Sequence, residues 1–186
     1  VPHHASGTRQ IAVGDLLIID AGARVDGYHA DMTRTFMVAS EPSDEIAEWH
    51  NVILQARAAA LSKCQAGEPI REMDRAARSI LTLRGLADWM PHGLGHGIGL
   101  QIHENPMLSV GELAKLPDRS SKATRGDHDL LVTGMVLAVE PGIYFPGIGG
   151  IRVEDSFLVL DHALRTLTMT QDHLVSTSLE IVGEAG

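Results

Sequence analysis

Two pairs of acidic residues are placed almost symmetrically about two turn signals in the sequence. Asp20 and Asp31 flank residues 24–27, where an Asp-Gly dipeptide is a strong hairpin signal. The midpoint of this pair falls between Val25 and Asp26. In an antiparallel hairpin the two carboxylates would lie opposite, or nearly opposite, each other on one face, with Cβ atoms about 4.5–5.5 Å apart. Carboxylates so close repel each other, and burial would add a desolvation cost to each.

Glu140 and Glu154 form the second pair, and their midpoint, Gly147, lies inside the Pro- and Gly-rich loop 145–150. Two hairpins that each present an acid pair at matching depth indicate a shared metal centre, because hard divalent cations prefer carboxylate oxygen. Four carboxylates would balance the charge of two divalent cations, which can activate water as a nucleophile at neutral pH. The alternative is that each acid is a surface residue, as isolated Asp and Glu mostly are.

A segment rich in glycine and histidine, residues 92–104, adds further reactive groups. It contains His92, His96 and His103, and its glycines allow the backbone to approach a cleft closely. One imidazole can bind a metal, and Mn, Co, Fe and Zn all accept such a ligand beside carboxylates. The other imidazoles can donate hydrogen bonds to a substrate carbonyl or carboxylate.

The elements that must position these residues follow from apolar periodicity and turn residues. The first predicted helix begins after its N-cap residue Ser43 and ends at Gly67, and a second runs from about Ile70 to Arg84. Residues 112–129 are polar and are predicted to form a surface excursion. Antiparallel hairpins with two helices between them predict an α+β fold, a mostly antiparallel sheet with flanking helices. The predicted strands span residues 16–19, 28–38, 135–140 and 151–160, with an additional one at 175–182.

The composition narrows the function classes. The 186 residues include 15 Lys and Arg against 24 Asp and Glu, a formal net charge of -9, which argues against a nucleic-acid or anionic-membrane surface. Cys64 is the one cysteine, so no internal disulfide can form. No apolar run approaches the roughly 20 residues of a transmembrane helix. Because the chain begins without Met, we expect an upstream part to be missing, and a cytoplasmic location is the default expectation.

The histidine segment resembles the signature of proline-specific metallopeptidases with the pita-bread fold, the Xaa-Pro aminopeptidases and Xaa-Pro dipeptidases (prolidases). Four other segments agree with this family and occur in its order: "PHH", "IDAGARVDGYHADMTRTF", "VEPGIY" and "GIRVEDS". The matches span residues 2 to about 160. The resemblance implies a creatinase/aminopeptidase-like catalytic domain over residues 1–182, incomplete at its N-terminus, and a tail at residues 183–186.

The resemblance also implies a centre of two divalent ions, with Mn²⁺ expected first and Co²⁺, Fe²⁺ or Zn²⁺ as alternatives. Asp31 and Glu154 would bridge both ions. Asp20 would serve one ion, and His96 with Glu140 the other. The implied metal ligands are therefore Asp20, Asp31, His96, Glu140 and Glu154.

Catalytic and substrate-binding roles follow from the same resemblance. Glu140 would act as general acid and base toward the attacking water, and His96 would support it as a ligand. His103 and His3 would bind the substrate and stabilise the tetrahedral intermediate. The implied substrate-binding residues are His3, His92, His103, Arg152 and Tyr144. Tyr144 and Thr33 would also support the metal ligands without binding the ions themselves.

The implied activity is hydrolysis of peptides with proline at the second position, without nucleic-acid or membrane partners and with a possible homodimer. A methionine aminopeptidase-like enzyme or a creatinase-like hydrolase would share the fold, but the doubled "HGLGHGIGL" resembles the proline-peptidase form. A non-catalytic binding homologue is the alternative from another class. Such homologues lose metal ligands, whereas all five matched positions keep theirs here. Residues 116–129 depart from the family pattern as an insertion.

Other residues are predicted to have no role in the site. Asp155 follows a proposed ligand directly and is predicted to point to the other side of its strand. Cys64 is predicted to pack in the core. The remaining histidines fit no ligand spacing and are predicted to be surface or locally hydrogen-bonded residues: His4, His29, His50, His128, His162 and His173.

Overall fold

The computed structural model describes residues 2–3, 7–110, 130–168, 170–172 and 174–177. The predicted surface excursion at 112–129, the tail at 183–186 and three of the histidines (His4, His128 and His173) lie outside these ranges. No helix among the described residues is long and apolar enough to cross a membrane.

The first hairpin consists of strands β1 (Leu16–Val25) and β2 (Tyr28–Val38). Its two-residue turn is Asp26-Gly27, with φ of 50° and 91°, as a type I′ turn requires. Asp31 consequently pairs with Gly22, and Asp20 pairs with Thr33. The two aspartates therefore lie on the same face, as predicted, but diagonally rather than directly opposite.

Two helices follow the first hairpin. Helix α1 (Asp44–Leu61) begins with Ser43 as its N-cap, as predicted, since the Ser43 hydroxyl accepts a hydrogen bond from the Ile46 N–H. It ends at Leu61, before the predicted Gly67. Helix α2 (Ile70–Leu83) is confirmed almost to the residue, and the short 3₁₀ turn Ala87–Trp89 follows it.

A five-stranded sheet carries the rest of the site. Its order is β4-β3-β5-β8-β9, and all its neighbouring strands are antiparallel. Its apolar residues pack on α1 and α2 to form the core. The strands are β3 (Gly95–Gly97), β4 (Glu104–Leu108), β5 (Val136–Val139), β8 (Asp155–Val159) and β9 (Leu164–Thr166).

The second hairpin contains a break that the sequence did not predict. Between β5 and β8 the chain forms a two-stranded ribbon, β6 (Gly142–Phe145) with β7 (Gly149–Arg152). The pairs Val139–Asp155 and Gly142–Arg152 share one register about Gly147, which confirms the predicted midpoint. The predicted strand 151–160 is therefore two strands, and Glu140 and Glu154 lie at the break between the two sheets.

The two hairpins meet at one antiparallel bridge between Thr33 and Glu154, which we call the hairpin junction. The Thr33 N–H donates to the Glu154 carbonyl (3.3 Å), and the Glu154 N–H donates to the Thr33 carbonyl (3.0 Å). On the edge of β2 that faces away from β1, β10 (Val175–Thr177) adds a parallel strand. This confirms the start of the strand predicted at 175–182, whose remainder lies outside the described residues. The α+β class is confirmed.

Candidate metal centre

Three potential metal ligands converge beside the hairpin junction. Asp31, His96 and Glu154 each offer one ligand atom, and these atoms all lie within 4.8 Å of one another. All three residues are buried. They come from β2, from β3 and from the break before β8, which are distant in sequence. A cluster of this composition suits a divalent cation, because it combines carboxylate oxygen with imidazole nitrogen.

Strand β3 can carry His96 into this cluster because glycines flank it. The strand lies between β4 and β5, with His96 opposite Met107 and Ala138. A Cβ at Gly95 would lie 2.0 Å from the Ala138 carbonyl oxygen, and one at Gly97 would lie 2.4 Å from that of Asn105. Only glycine fits this close strand approach, which explains the Gly-His-Gly pattern.

His96 presents Nε2 to the acids. Its Nδ1 lies 2.9 Å from the Gly97 carbonyl oxygen, so Nδ1 carries the proton and donates it there. Nε2 is then free to act as an acceptor, 4.0 Å from Asp31 Oδ2 and 3.8 Å from Glu140 Oε1. Burial lowers the pKa of His96. The neutral imidazole is the form that binds a metal.

Glu140 and Asp20, the other two predicted ligands, lie beside the cluster, Glu140 near His96 and Asp20 near Asp31. Glu140 follows β5, and its N–H donates to the Leu94 carbonyl (2.8 Å). Asp20 is the most exposed of the five predicted ligands, with 38% of its side chain exposed, and its Oδ2 accepts a hydrogen bond from Arg152 Nη2 (2.7 Å). The carboxylate of Asp20 therefore has a cationic partner of its own in this structure.

The carboxyl groups of the cluster hold protons more tightly than ordinary acids. Burial, followed by the charge of Glu154, raises the pKa of Glu140 to about 8. Burial, followed by Asp31, raises the pKa of Glu154 to about 7, and burial with Asp20 raises that of Asp31 to about 6. The positive charge of Arg152 lowers all three pKa values but offsets burial and mutual repulsion only in part. Divalent cations would supply the remaining positive charge, so the donor set fits the metals that the resemblance implies.

A hydrogen-bonded arm extends from the cluster through Arg152. Its Nε donates to Thr33 Oγ1 (3.1 Å), and that hydroxyl donates to Glu154 Oε2 (2.6 Å). Arg152 Nη1 donates to the Tyr144 hydroxyl, which also lies 3.0 Å from His92 Nε2. Of the predicted substrate-binding residues, Tyr144 is therefore in contact with both Arg152 and His92. Their role toward substrate stays a prediction.

Burial determines which protonation states His92 and Tyr144 adopt near neutral pH. It lowers the pKa of His92 to about 4 and raises that of Tyr144 to about 12. His92 Nδ1 lies 2.8 Å from the Gly93 carbonyl oxygen and donates to it. The Tyr144 hydroxyl accordingly donates to His92 Nε2 and accepts from Arg152.

The other two predicted substrate-binding histidines lie on the exposed side of the site. The ring of His103 is 4.4 Å from that of His96, centroid to centroid, and His103 is exposed. His3 is also exposed, and it lies near His92, whose pKa it lowers slightly beyond the main effect of burial. Neither role is tested by this geometry, and both stay predictions.

Comparison with known proteins decides the family. Residues 1–161 match the profile of metallopeptidase family M24. The chain belongs to this family. The M24 chain is 36% identical over 175 residues to an Xaa-Pro dipeptidase of Pyrococcus furiosus. The aligned region covers 94% of this chain and 46% of the relative.

Solved structures agree with this assignment. A prolidase from Thermococcus sibiricus has a TM-score of 0.82 at 34% identity, over 95% of the M24 chain and 44% of its own. An X-Pro aminopeptidase from Thermotoga maritima has a TM-score of 0.83 at 33% identity, over 95% and 46%. The predicted pita-bread fold is confirmed. The M24 chain spans less than half the length of each of these relatives.

Sequence reasoning missed two buried ion-pair systems that support the M24 site. The first joins Arg34 on β2 to Asp155, which also pairs with Arg57 of α1. Asp155 thus faces these arginines. The signal for this system was a charged residue, Arg34, in the middle of the predicted strand 28–38.

The second system is the i,i+4 pair Asp74–Arg78 on α2. Asp74 is fully buried and accepts a hydrogen bond from the Val110 N–H (3.0 Å). Arg78 donates to the carbonyls of Met90 and His92. The signal was a charged pair next to the apolar face of the helix. The pair fastens the histidine segment to α2.

Three of the histidines set aside lie within the described residues. His29 Nδ1 is 3.2 Å from the Gly99 carbonyl oxygen, so His29 is hydrogen-bonded locally, as predicted. His50 is buried in α1 rather than at the surface, and it has an interaction partner. His162 is exposed. Cys64 is buried in the core, as predicted.

Proposed function

We propose that this protein is a dinuclear metal-dependent exopeptidase that hydrolyses Xaa-Pro peptide bonds. The observation that carries the proposal is the convergence of Asp31, His96 and Glu154 within 4.8 Å, with Glu140 and Asp20 beside them. Relatives named Xaa-Pro dipeptidase and X-Pro aminopeptidase support the substrate class. Because those two names differ, the choice between dipeptides and longer peptides depends on direct assay.

The residues that would hold the metals are the five matched to the family. Asp31 and Glu154 would be shared, Asp20 would complete one position, and His96 with Glu140 would complete the other. Divalent cations bound there supply Lewis-acid activation of water and of the scissile carbonyl. Four carboxylates beside one imidazole form a donor set rich in hard oxygen, so Mn²⁺ is proposed first, with Co²⁺, Fe²⁺ or Zn²⁺ as alternatives.

One carboxylate would transfer protons during the reaction, and two histidines would bind the substrate. The Glu140 side chain is 18% exposed and lies beside His96. It would accept a proton from the attacking water and return it to the leaving proline nitrogen. His103 and His3 are exposed and would donate hydrogen bonds to the substrate carbonyl or carboxylate.

Proline selection has a physical basis in the substrate itself. An Xaa-Pro amide has no N–H, and its ring fixes the backbone at that residue. A pocket that accepts the ring and offers no acceptor for an N–H would therefore select it. The buried Tyr144 and the half-buried His92, which are hydrogen-bonded to each other, would form one wall of this pocket.

Matched peptide substrates test the proposal. We expect the full-length protein to hydrolyse Gly-Pro dipeptides or longer Xaa-Pro peptides when Mn²⁺ is added, and to lose this activity in chelator. The same peptides with alanine in place of proline are the control. Preference for N-terminal methionine would instead favour a methionine aminopeptidase-like enzyme, and an inert, metal-free protein would favour a binding homologue. Sedimentation of the same sample tests the homodimer that the family resemblance implies.

A further inference from the structure

The guanidinium group of Arg34 lies at the hairpin junction, on the side away from the metal cluster. Its Nη1 donates to both carbonyls of the junction, that of Thr33 (2.8 Å) and that of Glu154 (2.7 Å). Arg34 is only 7% exposed. One planar cation thus bridges the backbones of both hairpins at the residue that precedes Asp155.

The other side of the same guanidinium is held equally firmly. Arg34 Nη2 donates to Asp155 Oδ1 (2.7 Å), and Nε donates to the Gln171 carbonyl (3.0 Å). Asp155 Oδ1 also accepts a hydrogen bond from Thr168 (2.7 Å). Because the donors of arginine form a rigid fork, fixing one side of the group fixes the direction of the other.

The hairpin junction lies next to both acids that are proposed to be shared between the ions, so it can determine their positions. Asp31 lies two residues before Thr33 on β2, and Glu154 lies directly across the junction. The Thr33 hydroxyl donates a hydrogen bond to the Glu154 carboxylate (2.6 Å), while Arg34 donates one to the Glu154 carbonyl (2.7 Å). The separation of the Asp31 and Glu154 carboxylates therefore depends on how closely the junction is held.

We propose that Arg34 is a positioning residue that sets the separation of the two shared carboxylates through the backbone of the hairpin junction. The inference rests on the proposed function, because it treats Asp31 and Glu154 as common ligands. Arg34 touches neither substrate nor reacting atoms in this arrangement. Its effect passes through the main chain of Thr33 and Glu154.

Arg57 provides a matched control within the same ion network. Its exposed fraction, 9%, is similar to the 7% of Arg34, and it also pairs with Asp155 and Asp172. Among the described residues, the Arg57 side chain donates its hydrogen bonds to these two aspartates and to neither carbonyl of the junction. Removing Arg57 therefore disturbs the network without releasing the backbone of Glu154.

The test compares Arg34→Met, Arg34→Lys and Arg57→Met with the wild type in the full-length protein. Circular dichroism establishes the folded fraction, thermal unfolding gives the stability, and calorimetric titration with Mn²⁺ gives the metal affinity of the folded protein. We expect Arg34→Met to weaken Mn²⁺ binding by about 10–100-fold, as loss of groups that orient ligands does elsewhere. We expect Arg57→Met to lower the melting temperature comparably while it keeps an affinity close to wild type.

Arg34→Lys covers the case in which the methionine variant does not fold. Lysine keeps the buried charge beside Asp155 but cannot fork toward both carbonyls, so we expect a folded protein with weakened Mn²⁺ affinity. Folded Arg34 variants with wild-type affinity would overturn the proposal, as would an Arg57→Met affinity as low as that of Arg34→Met. A wild-type protein that binds no divalent cation would instead contradict the proposed function, and the proposal for Arg34 with it.

Discussion

At the scale of single residues, the carboxyl groups of the cluster differ from surface acids in how strongly they retain protons. Glu140, Glu154 and Asp31 have pKa values raised to about 8, 7 and 6, mainly by burial. Their residue types and spacing predicted that they would need a cation. The supporting contact from Thr33 to Glu154 could be only partly anticipated, since it depends on how the two hairpins meet.

These raised pKa values predict how pH affects the stability of the metal-free protein. A carboxyl whose pKa is higher in the folded than in the unfolded state binds more protons when folded. The free energy of unfolding should therefore fall as pH rises from the ordinary acid pKa of 4.5 through the folded value of about 8 for Glu140. In chelator, we expect the melting temperature to decrease between pH 5 and pH 8.5. Glu140→Gln should flatten this decrease, and an unchanged slope in that variant would refute the assignment.

Thr33→Val tests the hydrogen bond from the Thr33 hydroxyl to the Glu154 carboxylate without changing side-chain volume greatly. It removes the hydroxyl that donates to Glu154 Oε2 and accepts from Arg152. We expect Mn²⁺ affinity to fall by about 10-fold or more. Thr35→Val is the control, because within the described part of the chain the buried Thr35 hydroxyl hydrogen-bonds only to the main chain of Arg152. Equal losses of affinity in both variants would show that the effect comes from general destabilisation of the fold and not from the Thr33–Glu154 hydrogen bond.

At the scale of elements, the register of the two hairpins decides which side chains meet. The register about Gly147 could be predicted because Glu140 and Glu154 lie equally far from this residue, which is inside a Gly-rich loop. In the first hairpin Asp20 pairs with Thr33, two residues beyond the predicted Asp31, because the turn is centred on Asp26 and Gly27, both at positive φ. The break at residues 153–154 could not be predicted, since the apolar pattern continues through it. It arises from the tertiary bridge of Glu154 to Thr33.

Gly95→Ala tests whether β3 needs its close approach to β5. The new Cβ would lie 2.0 Å from the Ala138 carbonyl oxygen, which is backbone and cannot move aside freely. We expect a loss of stability of about 1–3 kcal/mol or more, measured by urea unfolding, together with weaker metal binding through a displaced His96. Gly7→Ala is the control, because nothing lies within 4 Å of its Cβ position. Similar stability for the two variants would contradict the packing argument.

Arg78→Met tests the attachment of the histidine segment to α2. The change leaves the fully buried Asp74 without its ionic partner and frees the His92 carbonyl. Breaking a buried pair in this way typically costs about 3–5 kcal/mol. Arg75→Met on the same helix removes only the more exposed pair with Glu72 and should change stability little. Chemical unfolding of both variants checks the difference, and equal effects would show that Asp74–Arg78 is not a special attachment.

At the scale of the whole molecule, the candidate metal centre brings together parts of the chain that are far apart in sequence. The sequence predicted the α+β class, both hairpins, both helices and the family, because these follow from local patterns and motif order. It did not predict the buried arginines, since their partners lie on other elements: Arg34 and Arg57 converge on Asp155 from β2 and α1. Such networks depend on tertiary packing, which periodicity does not encode.

The metal content of the full-length protein tests the central claim most directly. After saturation with Mn²⁺ and removal of free ions, we expect elemental analysis to find about two ions per chain in the wild type. Asp31→Asn and Glu154→Gln should each lose at least one ion, since each removes a proposed shared ligand. Asp15→Asn, which alters an exposed pair with Arg9, should retain the wild-type content. A wild type without bound metal, or ligand variants that keep both ions, would contradict a centre built from these two hairpins.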